Sequence, residues 1–480
     1  MRLTDELGFS KSLFPGHETV RTCASREWLV LGLGPDPAAL AESLPPDAEV
    51  FYLECPSFYD QTDGDWRAAI PPGWRRVESF DPLKDRNIIL YEAGMQLFPG
   101  FWGPVTAALA LPCPAGQTGG KAVLVPTEKS RLIASEVSQA LVAEGFQVLP
   151  VAPGDLLPIL ETSRPDLFLS INFAGLDPFG AASSVLARAG VPVAVWCVDN
   201  PFHSLSALKS HFWQDVHLFV TDDWFVAPLK GHGAKHVHHL PLAANQDFFK
   251  AAPDRPELAD KLLFVGRSAF PDKAAFFAGL KLPDDALALA LAMLERGDRP
   301  DFAWWSERLG VERLWPGKDV RLAGLGAEES GRAWRAQVLA EAAKAGELVV
   351  HGDGAWRTLV PSAFDLRAPV DYYGPLAGMY ASARCVIGAT SPLLPRGLTQ
   401  RHFDVWAAGG CLISDDTPGL DLFPAELTRP ITFHTPSSIP AALASLERNR
   451  MDLIRAWREL VSREHTYAHR IQSILEHISP

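Results

Sequence analysis

The chain has 480 residues, too many for one ordinary hydrophobic core, so two or three domains are expected. Hydrophobic residues make up 47% and charged residues 21%, which excludes a disordered chain. Acidic residues outnumber basic ones 57 to 44, for a formal charge of −13; this argues against a nucleic-acid surface but leaves room for one basic pocket that holds a diphosphate. No apolar run approaches the roughly 18 residues of a membrane span, so no transmembrane segment is expected. The N-terminus lacks a basic stretch followed by an apolar one, the mark of a secretory leader. The six cysteines (Cys23, Cys55, Cys113, Cys197, Cys385 and Cys411) form no CxxC pair, and several sit in apolar strands as reduced thiols do. The expectation is a cytoplasmic protein with no metal centre.

Residues 28–34, WLVLGLG, read as an apolar strand ending in glycines, followed by a helix from about Asp36 and a strand at 49–54 that ends on Glu54. Strand, glycine turn, helix and acid-ended strand make a Rossmann-like opening. Residues 87–91 are a further strand, and 112–120, PCPAGQTGG, break all periodicity as a linker. A second block has a strand at 121–126, an amphipathic helix from about Ser130 to Glu144, and strands at 147–151, 166–172, 191–198 and 217–221, ending near 238–242. Short apolar runs with helical stretches between them predict a buried parallel sheet. The third block opens with a strand at 261–267 and a helical stretch rich in Ala, Leu and Trp. Its strands resume at 347–351, 370–373, 385–387 and 410–414, before a closing helix from about Ser437, broken near Arg448. The expected units are 1–112, 121–255, 260–436 with a helical insertion at 268–346, and closing helices at 437–480. Two such sheets facing each other enclose a cleft beyond the carboxyl ends of their strands.

Residues 394–416, LPRGLTQRHFDVWAAGGCLISDD, carry the most chemistry: a loop, a helix over 399–408, a stop at Gly409 and Gly410, and a strand. Amides near Thr399 and Gln400, joined by Arg401, suit an anion such as a diphosphate, and Asp404 one turn on suits ribose hydroxyls. The competing reading is an i, i+3 ion pair of Arg401 with Asp404. Gly266 and Arg267 end the first strand of the third block, where glycine admits a ligand and the arginine a phosphate; Lys273 follows six residues on. A plain turn with solvated cations is the alternative there. His351, Gly352 and Asp353 end the next strand and face the same cleft, unless His351 is a satisfied structural histidine. In the middle block Asp199 and His203 follow one strand and Asp222 another, and each is a candidate base for an acceptor hydroxyl. Helix capping is the alternative for either aspartate. His232, His236, His238 and His239 are spaced for a loop and a strand, not for a metal. Gly32, Gly34 and Glu54 suit a nucleotide or S-adenosylmethionine, but the third glycine of that fingerprint is missing, so a module for acceptor docking or lobe packing is the stronger reading.

The 394–416 stretch resembles the C-terminal glycosyltransferase domain of the CgeB (spore maturation protein) family, through Arg401, Phe403, Asp404, Gly409, Gly410, Leu422 and Phe423. The resemblance extends to HGDGAW at 351–356, YGPL at 373–376, Tyr380 and HTYAHR at 465–470. Pro165, Asp166, WCVDNP at 196–201 and LPLA at 240–243 are similar to the uncharacterised domain often found upstream of such domains, so it spans roughly 121–478. It implies an α/β protein of the GT-B type: two Rossmann-like lobes facing a cleft, here with an additional N-terminal Rossmann-like module. It also implies a nucleotide-diphosphate sugar as co-substrate with no other cofactor, an unknown glycan or protein acceptor, and closing helices that return to the middle lobe. Many retaining GT-B enzymes carry two glutamates eight positions apart at this helix; here the positions hold Arg396 and Asp404, so a retaining mechanism is not carried over. The rival expectations are a catalytically inactive nucleotide-binding scaffold and a methyltransferase that uses the first block.

Overall fold

The computed structural model describes residues 1–116, 120–127, 133–152 and 154–478. At the N-terminus a short antiparallel pair, β1 (Arg2–Thr4) and β2 (Ser10–Ser12), precedes five further strands. These are β3 (His17–Arg21), β4 (Glu27–Leu31), β5 (Glu49–Leu53), β6 (Arg75–Arg76) and β7 (Asn87–Tyr91), in the order β3-β7-β4-β5-β6. Only β3 runs antiparallel; the rest form the parallel core the apolar runs predicted. β3 and β6, HETVR and RR, are polar edge strands with no hydrophobic signal to read. This module packs on the middle lobe through a close helix contact: a Cβ added at Gly103 would lie 2.4 Å from the Ser184 hydroxyl oxygen.

The middle sheet contains β8 (Ala122–Pro126), β9 (Gln147–Val151), β10 (Leu167–Ile171), β11 (Val193–Cys197), β12 (His217–Val220) and β13 (His236–His239). All are parallel, in the order β9-β8-β10-β11-β12-β13. β10 and β11, LFLSI and VAVWC, are buried at every position, which is why they read as unbroken apolar runs. The helix expected from Ser130 is Ala134–Ala143; Ser130 itself, residues 117–119 of the expected linker and residues 479–480 lie outside the described residues. The last strand stops at His239 rather than continuing to 242, since Pro241 has no amide to donate to a ladder.

The third sheet is β14 (Leu262–Val265), β15 (Leu348–His351), β16 (Asp365–Arg367), β17 (Cys385–Ile387), β18 (Leu412–Asp415) and β19 (Thr432–Phe433). Its order, β16-β15-β14-β17-β18-β19, is the doubly wound arrangement, with the switch point between β14 and β17. Residues 370–373 are not a strand. Pro369 and Pro375 bracket them, the segment turns, and the strand in its place is the polar β16. Between β14 and β15 three short helices lead into a 26-residue helix, Val320–Ala345. The chain closes on helices Ile439–Arg448, Arg450–Glu464 and Tyr467–Ile478, broken at Asn449 close to the expected place. Trp457 stacks on Trp406, both fully buried, with centroids 5.0 Å apart and planes 3° from parallel. The last helix lies on the middle lobe, where Arg470 donates to the carbonyls of Pro241 (2.8 Å) and Leu242 (3.0 Å).

Candidate active-site cleft

The carboxyl ends of the middle and third sheets face each other across two adjoining cavities of about 820 and 890 Å³. Both are lined by Asp199 from the middle lobe and by Gly266, Arg267, Thr399 and Arg401 from the third. Two α/β lobes meeting at their strand ends is where such folds place a ligand.

Gly266 leaves β14 with its amide on the His351 carbonyl (2.9 Å), while its own carbonyl accepts from the Trp356 indole (2.9 Å). A Cβ at Gly352 would stand 2.5 Å from that carbonyl, so glycine at 352 is required by backbone crossing backbone. Arg267 is exposed and reaches into both cavities. Arg401 lies with its guanidinium 5.2 Å from the Phe264 ring centroid, and its Nε is buried without a hydrogen-bond partner. Among the described residues no ion pair joins Arg401 to a carboxylate, since the nearby Asp415 pairs with Arg299 (2.9 Å); burial pushes the Arg401 pKa down.

Asp404 does not pair with Arg401. One carboxylate oxygen accepts from the Asn245 amide (3.0 Å) and the other from the Tyr372 hydroxyl (2.7 Å), and burial pushes its pKa up to about 7. Glu136, on the middle lobe, accepts from the Asn245 side chain (2.9 Å) and from the Tyr373 hydroxyl (2.9 Å). Gln400 donates to the Ala243 carbonyl (2.6 Å). The carboxylate expected to meet a ribose therefore belongs to a network that ties the two lobes together. The amide of Thr399, expected to face an anion, instead donates to Nδ1 of His402 (3.1 Å) and so is already satisfied within the helix start.

The remaining expected donor-side residues divide. His351 lines the cleft, with Nδ1 on the Ala368 carbonyl (2.8 Å) and a lowered pKa caused by burial. Asp353 accepts from the amide (2.7 Å) and hydroxyl (2.8 Å) of Ser268 and holds the turn. Lys273 pairs with Glu329 at 2.8 Å. Gly409, at φ 76°, ends the helix, and a Cβ at Gly410 would lie 2.3 Å from the Tyr380 carbonyl; both serve packing behind the cleft.

The three base candidates also separate. Asn200, not Asp199, caps the following helix by accepting from the Phe202 amide (3.0 Å). Asp199 stays exposed in the cleft and receives a hydrogen bond from the Asn172 side chain (2.8 Å), a residue held at φ 50°. Asp222 is the capping residue, accepting from the Trp224 amide (2.9 Å) and, across the lobes, from the Arg396 amide (2.8 Å). Burial raises its pKa to about 6, and it does not line the cleft. His203 does line it, but burial and then the charge of Arg321 push its pKa down to about 3. A base that weak has almost no affinity for the proton of an attacking hydroxyl.

The sequence reading missed Arg321, Glu328 and Arg335. They are seven positions apart on one face of the long helix, and all line the first cavity. Arg335 donates to the Ser268 carbonyl (2.9 Å) beside Glu328 (3.5 Å). The available signal was a charged stripe among small residues, Gly324, Gly326 and Gly331, which let the helix pack closely: a Cβ at Gly324 would strike His203 at 2.1 Å. Among the described residues no group of three or more His, Cys, Asp or Glu is placed to hold a metal, and no helix is long and apolar enough to cross a membrane.

Residues 332–476 match the family described as glycosyl transferase-like. That segment includes Arg335, Arg401 and Asp404; Asp199 and Arg267 precede it. No curated protein sequence matches the chain. Among solved structures it is similar to HepE from Anabaena in complex with UDP-glucose, at 10% identity and TM-score 0.42, covering 74% of this chain and 98% of that one. It is similar to the catalytic domain of starch synthase IV from Arabidopsis thaliana bound to ADP and acarbose, at 10% identity and TM-score 0.40, covering 75% and 99%. A third is an α,α-trehalose-phosphate synthase (UDP-forming) from Burkholderia xenovorans, in complex with glucose-6-phosphate, at 11% identity, TM-score 0.36 and coverage of 95% and 100%.

Proposed function

We propose that the protein is a CgeB-like glycosyltransferase of the GT-B type, moving a sugar from a nucleotide-diphosphate donor to an acceptor hydroxyl. The observation that carries this reading is Arg401, a half-buried side chain lining the cleft whose Nε is buried without a hydrogen-bond partner and which, among the described residues, has no carboxylate in ion-pair reach, with the exposed Arg267 lining the same cavities. A buried cation without a counter-ion is costly unless a ligand supplies the anion, and a diphosphate supplies two charges at once. The nucleoside would lie along His351, Gly352 and Tyr372 in the second cavity, leaving the sugar toward Asp199.

In the transfer, the acceptor oxygen forms a bond to the anomeric carbon while that carbon's bond to the phosphate oxygen breaks. The electron pair leaves with the nucleoside diphosphate, whose charge Arg267 and Arg401 offset. The acceptor's proton passes to the Asp199 carboxylate. One carboxylate on the side opposite the leaving group corresponds to inversion of the anomeric centre.

Binding of UDP and ADP is the direct test. At a hundredfold excess over its Kd, the correct nucleotide stabilises the fold by about 2.7 kcal/mol. Arg401→Ala should remove most of the rise in Tm while leaving the ligand-free protein folded. An undiminished rise in that variant overturns the role given to Arg401.

A further inference from the structure

The first cavity has a second cationic end that the donor reading does not use. Arg321 and Arg335 are 14 positions apart on one helix, which separates their backbones by about 21 Å. Arg335 stands at the donor end, close enough for its charge to act on Arg401. Arg321 stands at the other end, its Nε on the Ser206 hydroxyl (2.9 Å) and its guanidinium 4.5 Å from the Phe276 ring centroid. It is half-buried, and among the described residues no carboxylate is within ion-pair distance of it. Glu328, the nearest acid on that helix face, is beside Arg335. Lys209 and Lys318 add positive charge around Arg321, and the field of Lys318, Lys11 and Arg321 reaches Lys209. Among the described residues, Lys11 is the one of these cations with an ion-pair partner, Asp5 at 3.7 Å. The cavity's lining also includes the apolar Phe270, Phe276, Leu393 and Leu394, together with Asp199.

We infer that this end of the cleft is the acceptor subsite, and that it takes an amphipathic anion: an apolar, aromatic-sized body on Phe270 and Phe276, ending in a carboxylate or phosphate paired with Arg321. The inference rests on the glycosyl-transfer reading for what its occupant does, since it places the acceptor's hydroxyl toward Asp199. One diphosphate cannot bridge the distance from Arg335 to Arg321, so the two cationic ends serve different ligands. A guanidinium at the end of an apolar channel, in an otherwise acidic chain, selects for both features of the ligand at once.

The test uses the full chain with phenylacetate and phenyl phosphate as probes and 2-phenylethanol as the neutral control, followed by ligand-observed NMR with and without UDP. The anions should bind, with the stronger of the two identifying a carboxylate or a phosphate as the natural group, and the alcohol should bind at least about tenfold more weakly. Arg321→Gln should lower the anion's affinity about tenfold or more, and Arg321→Lys, which keeps the charge but not the bidentate geometry, by less. Saturating UDP and Arg401→Ala should leave anion binding unchanged. Failure of both anions to bind, equal binding of the alcohol, displacement by UDP, or undiminished binding in Arg321→Gln each overturns the subsite. Loss of UDP binding in the wild type with the anion site intact would instead overturn the donor reading, so the two failures are distinguishable.

Discussion

The first and third sheets both open with an apolar strand that runs into glycine, at Gly32 and Gly34 in one and Gly266 in the other, yet only one of these loops opens onto a cleft. In the first, Glu54 turns inward and accepts from the amides of Leu33 (2.7 Å) and Cys55 (2.9 Å), while the Trp66 indole donates to the Gly34 carbonyl (3.0 Å). A Cβ at Gly34 would meet His17 at 2.9 Å and Tyr91 at 3.2 Å, so the module's own rings fill the space a nucleotide would need. In the third, Arg267 lines the cleft and Arg401, half-buried with its Nε unpaired, has no counter-ion among the described residues. Glycine after a strand thus records close approach of chain to chain in both; whether the surrounding polar groups are already satisfied separates a packing loop from a binding loop. This also removes the support for methyl transfer in the first module.

The same contrast holds inside the middle lobe between Asp199 and Asp222, and there it predicts the largest effect. Asp199→Asn should lower turnover by about 10²- to 10⁴-fold once an acceptor is identified, with Tm and nucleotide affinity nearly unchanged. Asp222→Ala should do the reverse, lowering Tm through loss of its cap and of its hold on the Arg396 amide. Near-normal turnover in a folded Asp199→Asn would break the distinction and remove Asp199 as the base.

A smaller effect tests the first module. Glu54→Ala leaves two buried amides without an acceptor, at about 1–3 kcal/mol each, so chemical denaturation should show a loss of roughly 2–6 kcal/mol. Nucleotide binding by whatever fraction remains folded should match the wild type. A change in nucleotide affinity would mean that the first glycine loop takes part in the donor site after all.

How much of this was legible in the sequence follows the same division between local and distant causes. β10 and β11 were readable because burial on both faces leaves nothing polar in them, whereas β16 (DLR) and β19 (TF) are edge or terminal strands whose pairing depends on a neighbour already in place. The run 370–373 has strand-like composition, but its Tyr372 hydroxyl is drawn to Asp404 within the same lobe and its Tyr373 hydroxyl across to Glu136 of the middle lobe. That Asp199, Arg267 and Arg401 line the cleft was legible because strand ends and helix starts are local features. Asp404's true partner, Asn245, lies 159 positions away in the chain, and no local rule reaches that far. Arg321 and Arg335 were passed over since a charged stripe on a helix ordinarily faces water.

The smallest expected effect bears on that long-range contact. The Asp404 carboxyl has an ordinary pKa near 3.8, raised in the fold to about 7 by burial. A group raised in this way contributes stability that is fully present below its unfolded value and is lost as pH rises through the folded one. Between pH 6 and pH 8 the native state gives up this proton while the unfolded state has none left to lose, which removes about 1 kcal/mol. Several histidines act in the opposite sense: burial pushes His203 down to about 3 and His402 and His465 to about 4, so they favour folding more as pH rises through their unfolded value near 6.5. The slope of the wild type alone therefore mixes both signs. Subtracting the curve of Asp404→Asn cancels the histidines, which are common to both proteins, and isolates the carboxyl. The difference in unfolding free energy should narrow by about 1 kcal/mol from pH 6 to pH 8, in favour of the variant at the alkaline end. A flat difference would mean that Asp404 is already ionised at pH 6. The bond from Tyr372 would then be charge-assisted, and the carboxylate would regain the character a ribose-binding group needs.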